Sequence, residues 1–533
     1  MEIIENQLLI IFFIIVFFKN SLFWTAIWQM KEYRLDRFLD FISTTDGQKS
    51  LFNKSFAWEL LGLIVLILAE PDILVGRKIL IFFLLVEIIY WLWQIIHKQL
   101  IKPVWTNKAM LITILSLLLA TLVVIVKVAY FPYKFYQTML AVNILSVVWV
   151  ALIILLIYPL SYILKQKTIK LAKLKMKNLP NLKVVGITGS YGKTSVKEFT
   201  FTVISEFFKT VKTEKNNNSE MGVAQTVLNK DLKKAEIFIA EMGAYKIGEI
   251  QKICEITPPN IAILTGIDEQ HTALFGGLEN TKKAKSEILY FTAPKAIGIL
   301  NYDNEHVRDL ALPDNLEEIT YGVTNARVDV KGELLGLEKN WQNFKVTYED
   351  QSQTFKTRLI GEHNVLNILA ALSVGLMLGK KLEHLQDSVA ALTPPPETME
   401  LFVKGQLSLI NDAYNANPTG VKAALKTLAT FTETKIAILD DILELGKESK
   451  KIHLEIAKLL AKYNFNKVIL VGKNYDSLIK KELLNLNFSA ENILTEAEDQ
   501  KTIISYLNTL KNQKAALLFE GRRSRKYLKK FVD

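Results

Sequence analysis

Apolar positions are not spread evenly along these 533 residues. Before residue 165 they gather into long stretches at 4–28, 57–75, 78–97, 109–130 and 136–164. Runs such as LLIIFFIIVFF and ILIFFLLVEIIYWLWQII are apolar on every face. A helix at the surface of a soluble fold keeps a polar stripe, so such runs point to lipid instead. The last four stretches approach or exceed the roughly 20 residues that cross a bilayer as a helix. The pattern therefore predicts an α-helical transmembrane region over 1–165, of about five helices. Lys19 and Asn20 interrupt the first stretch. A cleaved signal peptide is its competing reading, but no basic n-region or small-residue cleavage site accompanies it. Trp24, Trp28, Trp91, Trp93 and Trp105 lie near predicted span ends, as interfacial aromatics do. Glu87 falls inside a span, either as a functional polar site or packed between helices.

From residue 183 the pattern changes to short β-rich runs alternating with helical periodicity, which argues for parallel α/β sheets. Candidate strands are Lys183–Ile187, Ile237–Glu241, Ile261–Thr265 and Ala296–Leu300, then Leu407–Ile410, Ile436–Leu439, Val468–Val471 and Ala515–Phe519. Pro394, Pro395 and Pro396 between the two series cannot continue a helix and mark a boundary. The expected order is a transmembrane region, 1–165; a basic juxtamembrane linker, 166–180; a central domain, 181–393; and a Rossmann-like C-terminal domain, 394–533.

Charge sharpens this division. The chain carries 65 Lys+Arg and 54 Asp+Glu, a net of +11. Residues 1–180 hold 19 and 10 of these, a net of +9, and the remainder is nearly neutral at +2. The excess is therefore a membrane-orientation signal and not a nucleic-acid footprint. With five spans, 14 Lys/Arg fall on the side of loops 29–56, 98–108 and 165–177, and 4 on the other. That bias puts the N-terminus outside and everything after 165 in the cytoplasm, at the cytoplasmic membrane. A single Cys, Cys254, excludes a disulfide scaffold and any Cys-based zinc site.

The chemistry begins at VVGITGSYGKTSVKEFT, 184–200, which reads as strand, glycine turn and helix. Gly189 and Gly192 allow a tight turn whose N–H groups approach phosphate oxygens, with the helix N-terminus behind them. Lys193 supplies a charge for the β/γ phosphates, and the Thr194 hydroxyl suits Mg²⁺. A strict Walker A places Gly where Ile187 stands, so the match is to TGxxGKT[ST]. The central domain is thus expected to be a P-loop-type, parallel-sheet ATPase domain.

TGSYGKTS resembles the nucleotide loop of the Mur ligases, ATP-dependent amide ligases of peptidoglycan precursor synthesis. Further motifs follow in that family's order: NNNSEMGVAQTVL (216–228), AEMGAYKIGEI (240–250), LTGIDEQHTALFGGLENTKKAKSEI (264–288), ILNYDNEHV (299–307), GEHNVLNILAA (361–371) and NDAYNANPTG (411–420). The second and last of these are similar to the branch that adds D-alanyl-D-alanine. The resemblance implies activation of a muramoyl-peptide carboxylate, UDP- or lipid-linked, as an acyl phosphate, and its coupling to D-alanyl-D-alanine. ATP and Mg²⁺ at two sites are the implied cofactors. Gly189, Ser190, Gly192, Lys193, Thr194 and Ser195 would contact the nucleotide, with Asn301, His363, Asn364 and Asn367. Asp412 and Asn415 would reach it from the C-terminal domain. Thr194 and Glu241 would hold the first Mg²⁺, and His271 the second, with Lys285 carbamylated beside it. Lys193, His271 and Lys285 are the implied catalytic set.

Departures from that family are also visible. Glu397-Thr398-Met399-Glu400 stands where a Gly-Arg is usual, and Glu520-Gly521-Arg522-Arg523 where Lys-Gly-Ser-Arg is usual. Gly266 replaces a common Asn. Membrane helices stand in place of the family's soluble UDP-sugar domain. The implied partners are membrane lipid and cell-wall enzymes besides the substrates. Two alternatives stay open: the same chemistry on another amino acid, peptide or polymer, and a non-catalytic nucleotide-binding scaffold for cell-wall enzymes.

Overall fold

The computed structural model describes residues 2–68, 73–130, 135–214, 217–268, 277–338, 341–394, 397–414, 416–442, 445, 449–472 and 475–532. The chain divides into two compact units, Met1–Lys165 and Gln166–Asp533.

The first unit is helical: α1 (Glu2–Met30), α2 (Leu35–Ser43), α3 (Thr45–Leu51), α4 (Lys54–Leu68), α5 (Ile73–Ile96), α6 (Asn107–Tyr130), α7 (Phe135–Ile144) and α8 (Ser146–Lys177). Among the described residues, four segments are long and apolar enough to cross a membrane: Gln7–Met30, Leu74–Ile96, Asn107–Lys127 and Ser146–Lys177. Within the expected span at 57–75 the described residues form the apolar helix α4, Lys54–Leu68. The expected span at 136–164 is broken at Leu145. There the Trp149 indole donates to the Val142 carbonyl at 3.1 Å, the acceptor that the helical ladder assigns to Ser146.

Trp24 and Trp28 lie near the end of the span Gln7–Met30 and are buried, 5% and 1% exposed, with Trp28 stacked on Phe38 at 4.0 Å between centroids. Trp93 and Trp105 are the exposed ones. Lys19 and Asn20 do not interrupt α1, because each has a buried partner. Lys19 forms an ion pair with Glu87, and the Asn20 amide donates to Glu59 at 3.0 Å. Glu87 is therefore not a lone acid.

The second unit contains two sheets. Its first strands are β1 (Lys183–Thr188), β2 (Thr210–Lys212), β3 (Ile237–Glu241), β4 (Ile261–Leu264), β5 (Ile297–Asn301) and β6 (Glu317–Gly322). A meander follows: β7 (Val330–Glu338), β8 (Trp341–Tyr348) and β9 (Gln351–Thr357). Among the described residues these nine form one sheet, ordered β2-β3-β1-β4-β5-β6-β7-β8-β9. It is parallel through β7, while β7–β8 and β8–β9 are antiparallel. The expected all-parallel sheet is thus extended by a hairpin pair whose alternating polar residues hid it: the burial of β9 runs partly exposed, exposed, partly exposed. β1 and β4 are buried almost throughout, as inner parallel strands are.

The second sheet comprises β10 (Glu400–Lys404), β11 (Leu407–Asp412), β12 (Thr434–Leu439), β13 (Lys467–Leu470), β14 (Ile493–Thr495) and β15 (Ala515–Glu520), ordered β10-β11-β15-β12-β13-β14. All pairs are parallel except β10–β11. Residues 166–177, expected as a linker, are the helical end of α8. Ile169, Ala172 and Met176 pack with Leu182 and Val184, and Lys173 reaches Glu255 at 2.7 Å.

Candidate active site

The turn after β1 delivers the phosphate loop to α9 (Lys193–Ser205). Gly189 (φ +151°) and Gly192 (φ +75°) adopt backbone angles that favour glycine. A Cβ at Gly189 would lie 2.1 Å from the Thr265 hydroxyl, and one at Gly192 would lie 2.7 Å from Asn367 Oδ1. Asn367 is thereby packed against the loop. Ser190 accepts from the Asp268 amide at 3.1 Å, so its hydroxyl ties the loop to the segment after β4. Ser195 lies in the first turn of α9.

Lys193 folds back over the loop and donates to the carbonyls of Gly189 and Ser190. Burial there draws its ammonium below the ordinary lysine range, against the pull of Glu241. An anionic ligand in the loop would restore that charge.

Thr194 and Glu241 come together. The Thr194 hydroxyl lies 3.2 and 3.1 Å from the two carboxylate oxygens of Glu241 at the end of β3. Two partners not singled out in the sequence complete the cluster. The Asn218 amide donates to Glu241 at 2.9 Å, and the buried Lys197 ammonium lies 3.1 Å from its other oxygen. Lys197 stands one helical turn after Lys193, and Asn218 lies within 216–228; both signals were available. A hydroxyl, a carboxylate and a carboxamide form the hard oxygen set that Mg²⁺ takes.

Lys285 is 4% exposed on the helix Leu278–Tyr290 and donates to the Ala244 carbonyl at 3.3 Å. Burial, then repulsion from Lys193, holds its amine well below the usual range. His271 and Asn415 lie outside the described residues. Among the described residues, no group of three His, Cys, Asp or Glu side chains is arranged to hold a metal.

The other candidates organise backbone. Asn301 donates to the Thr265 carbonyl at 2.8 Å, and Asn364 to the Ile360 carbonyl at 2.8 Å. His363 is the second residue of the helix Glu362–Met377, with Nδ1 buried and unpartnered; burial lowers it to about 4, so it is a neutral imidazole. Asp412 ends β11 and accepts from the Met399 amide at 3.2 Å. It sits beside the buried Glu520 at the end of β15. Burial raises Asp412 to about 6 and, with Asp412 adjacent, raises Glu520 well above the carboxylate range. The central and C-terminal domains touch where Thr419 donates to Asp268 and Lys426 meets Glu362 at 2.8 Å.

The Mur ligase middle domain matches residues 187–375, and the Mur ligase glutamate ligase domain matches residues 399–523, together more than half of the chain. The chain belongs to the Mur ligase family. The UDP-N-acetylmuramoyl-tripeptide–D-alanyl-D-alanine ligase of Bacillus subtilis is 31% identical over 57% of this chain and 65% of its own. The ligase of the same name from Buchnera aphidicola subsp. Baizongia pistaciae is 30% identical over 58% and 68%. The MurF ligase of Thermotoga maritima, solved in complex with ADP, superposes with a TM-score of 0.59 at 26% identity, covering 69% of this chain and 83% of that one. The chain thus spans about two thirds of the length of these relatives.

The departures from the Mur ligase pattern have structural counterparts. A Cβ on Gly266 would lie 2.4 Å from the Tyr191 ring, so the tyrosine of the loop occupies the space an Asn would need. Glu397, in the stretch 397–400 where a Gly-Arg is usual, is ion-paired with Arg525 from the C-terminal helix. Glu520, where a Lys is usual, forms the carboxyl pair with Asp412. The Arg522–Lys526 cluster is no free cationic patch. Arg523 pairs with Asp440 at 3.1 Å, Lys526 pairs with Glu496, and Arg522 donates to the Tyr414 carbonyl at 3.3 Å.

Proposed function

We propose that this Mur ligase activates the carboxylate of an N-acetylmuramoyl-tripeptide with ATP and joins it to D-alanyl-D-alanine. The observation that carries the reading is the phosphate loop with Lys193 folded over it and Thr194 held against Glu241. The loop N–H groups and Lys193 orient the triphosphate and offset the charge that spreads over the transferred phosphoryl oxygens. The peptide carboxylate oxygen forms a bond to the γ-phosphorus as the bond to the ADP oxygen breaks. The D-alanyl-D-alanine amine then attacks the acyl carbon, phosphate leaves, and the amine loses a proton. Thr194, Glu241 and Asn218 would hold Mg²⁺, which when bound neutralises β- and γ-phosphate oxygens. Lys285, carbamylated, would contribute a carboxylate for a second ion.

The membrane assignment belongs to the same proposal. The long apolar helices support a multi-pass anchor, and the 14-to-4 basic asymmetry, which holds for five spans, supports the ligase domains on the cytoplasmic side.

The test uses detergent-solubilised full chain with ATP, Mg²⁺, D-alanyl-D-alanine and UDP- or lipid-linked muramoyl-tripeptide. Phosphate release that requires both substrates, and disappears in Lys193→Ala, is the expected result. Nucleotide binding without turnover for any substrate pair would contradict it and favour a scaffold.

A further inference from the structure

The Glu241 carboxylate is engaged on both oxygens, and its partners are not equivalent. Oε1 accepts from the Asn218 amide at 2.9 Å, Oε2 lies 3.1 Å from the Lys197 ammonium, and the Thr194 hydroxyl faces both. A hydroxyl and a carboxamide each carry an oxygen that can turn toward a metal ion. An ammonium has donors only. Of these three neighbours, Lys197 is the one that a cation cannot recruit. A cation that approaches its oxygen meets a positive charge instead.

Lys197 is also held in place. It stands on α9, one turn after Lys193, and is 0% exposed. A second acid, Glu198, lies 3.5 Å from the same ammonium and is itself paired with Lys212. Moving Lys197 away from Glu241 would leave a buried carboxylate oxygen and a buried cation unmatched together, which is strongly unfavourable. The ammonium therefore stays with the two carboxylates, and Oε2 is taken.

That asymmetry bears on the choice of ion. Mg²⁺ demands octahedral geometry at about 2.0–2.1 Å, takes few protein oxygens and keeps several waters. Ca²⁺ binds at about 2.3–2.6 Å, gathers roughly 6–8 oxygens, and often takes both oxygens of one carboxylate. A Glu241 with one oxygen to offer, beside one hydroxyl, suits the first ion. With both oxygens released, the same side chain could chelate the second.

We propose that Lys197 is a positioning residue that sets metal selectivity: by holding Oε2 of Glu241 it leaves Oε1 and the Thr194 hydroxyl to the ion, and so favours Mg²⁺ over Ca²⁺. The inference rests on the reading of Thr194 and Glu241 as the metal site given above.

The test measures binding of a fluorescent ADP analogue to the detergent-solubilised full chain in EDTA, in excess Mg²⁺ and in excess Ca²⁺. Binding in EDTA reports that a variant is folded. The ratio of the Ca²⁺ to the Mg²⁺ dissociation constant reports selectivity and needs no turnover. The parent is expected to bind about tenfold or more tightly with Mg²⁺. Lys197→Met, similar in length but without donors, is expected to lower the ratio about tenfold, the scale of one charge-assisted contact. Lys197→Gln, shorter and polar, is expected to lower it as well. Lys197→Arg, again a cation with donors only, is expected to preserve it. A role confined to folding would weaken binding with both ions alike and leave the ratio unchanged. A parent that binds equally well with Ca²⁺, or a folded Met or Gln variant whose ratio stays within about twofold of the parent, would overturn the inference. Nucleotide binding by the parent that neither ion alters would instead overturn the metal-site reading, so the two can fail separately.

Discussion

The Thr194 hydroxyl reaches both oxygens of the Glu241 carboxylate, at 3.2 and 3.1 Å, and so ties the start of α9 to the end of β3. These two side chains come from adjacent strand ends of a parallel sheet, where open α/β folds place their ligands. Thr194→Ala and Glu241→Gln should each lower kcat by about 10² or more, with nucleotide binding losing its Mg²⁺ dependence. Titrating a fluorescent ATP analogue with and without Mg²⁺ checks this. Unchanged Mg²⁺ dependence in both variants would remove them from the metal site.

Lys285 is buried, and its amine is held well below the usual lysine range by burial and by Lys193. An amine of lowered pKa is more often neutral near pH 7, and the neutral form is the one that adds CO₂. Lys285→Arg should therefore be as inactive as Lys285→Ala, although it keeps the charge. Protein depleted of CO₂ should regain activity on adding bicarbonate. Full activity in Lys285→Arg would rule out the carbamate.

The C-terminal domain should lose stability as pH rises through neutrality. Asp412 is raised to about 6 and Asp476 to about 7, both chiefly by burial, from an ordinary 3.8. The folded state therefore keeps protons that the unfolded chain has released above about pH 4. The stabilisation is complete below that point and is lost as pH rises through 6 and 7. Thermal unfolding followed from pH 5 to 8 should show the decline, and Asp476→Asn should flatten it. A rising profile over that range would contradict the assignment.

In the first unit, removing one member of the Lys19–Glu87 pair strands the other in an apolar helix bundle. Glu87→Ala should destabilise the unit by about 3–5 kcal/mol, while Lys19→Met combined with Glu87→Met should recover much of that loss. Thermal unfolding in detergent distinguishes the two variants. Equal loss in the single and double variants would mean that the pair itself supplies the stability.

Much of this was legible because the signals were local. The strand, glycine turn and helix of the phosphate loop are contiguous, and Ile237–Glu241 is a run of buried β-formers that could be bounded to the residue. The partners were not legible. Nothing in the chain near Lys19 announces Glu87, 68 residues away, and nothing near Glu397 announces Arg525, 128 residues away. The hairpin strands β7–β9 escaped because half their residues face solvent. The broken span at Leu145 escaped because a hydropathy count is blind to the Trp149 indole taking a ladder carbonyl.

The central claim is that the peptide carboxylate is phosphorylated before the amine attacks. The most direct measurement supplies muramoyl-tripeptide with its terminal carboxylate labelled with ¹⁸O, then reads the mass of the released phosphate. One ¹⁸O in each phosphate, matched by one amide formed, is the predicted result. Unlabelled phosphate alongside amide product would contradict the acyl-phosphate route, and label-free phosphate without product would reduce the chain to an ATPase.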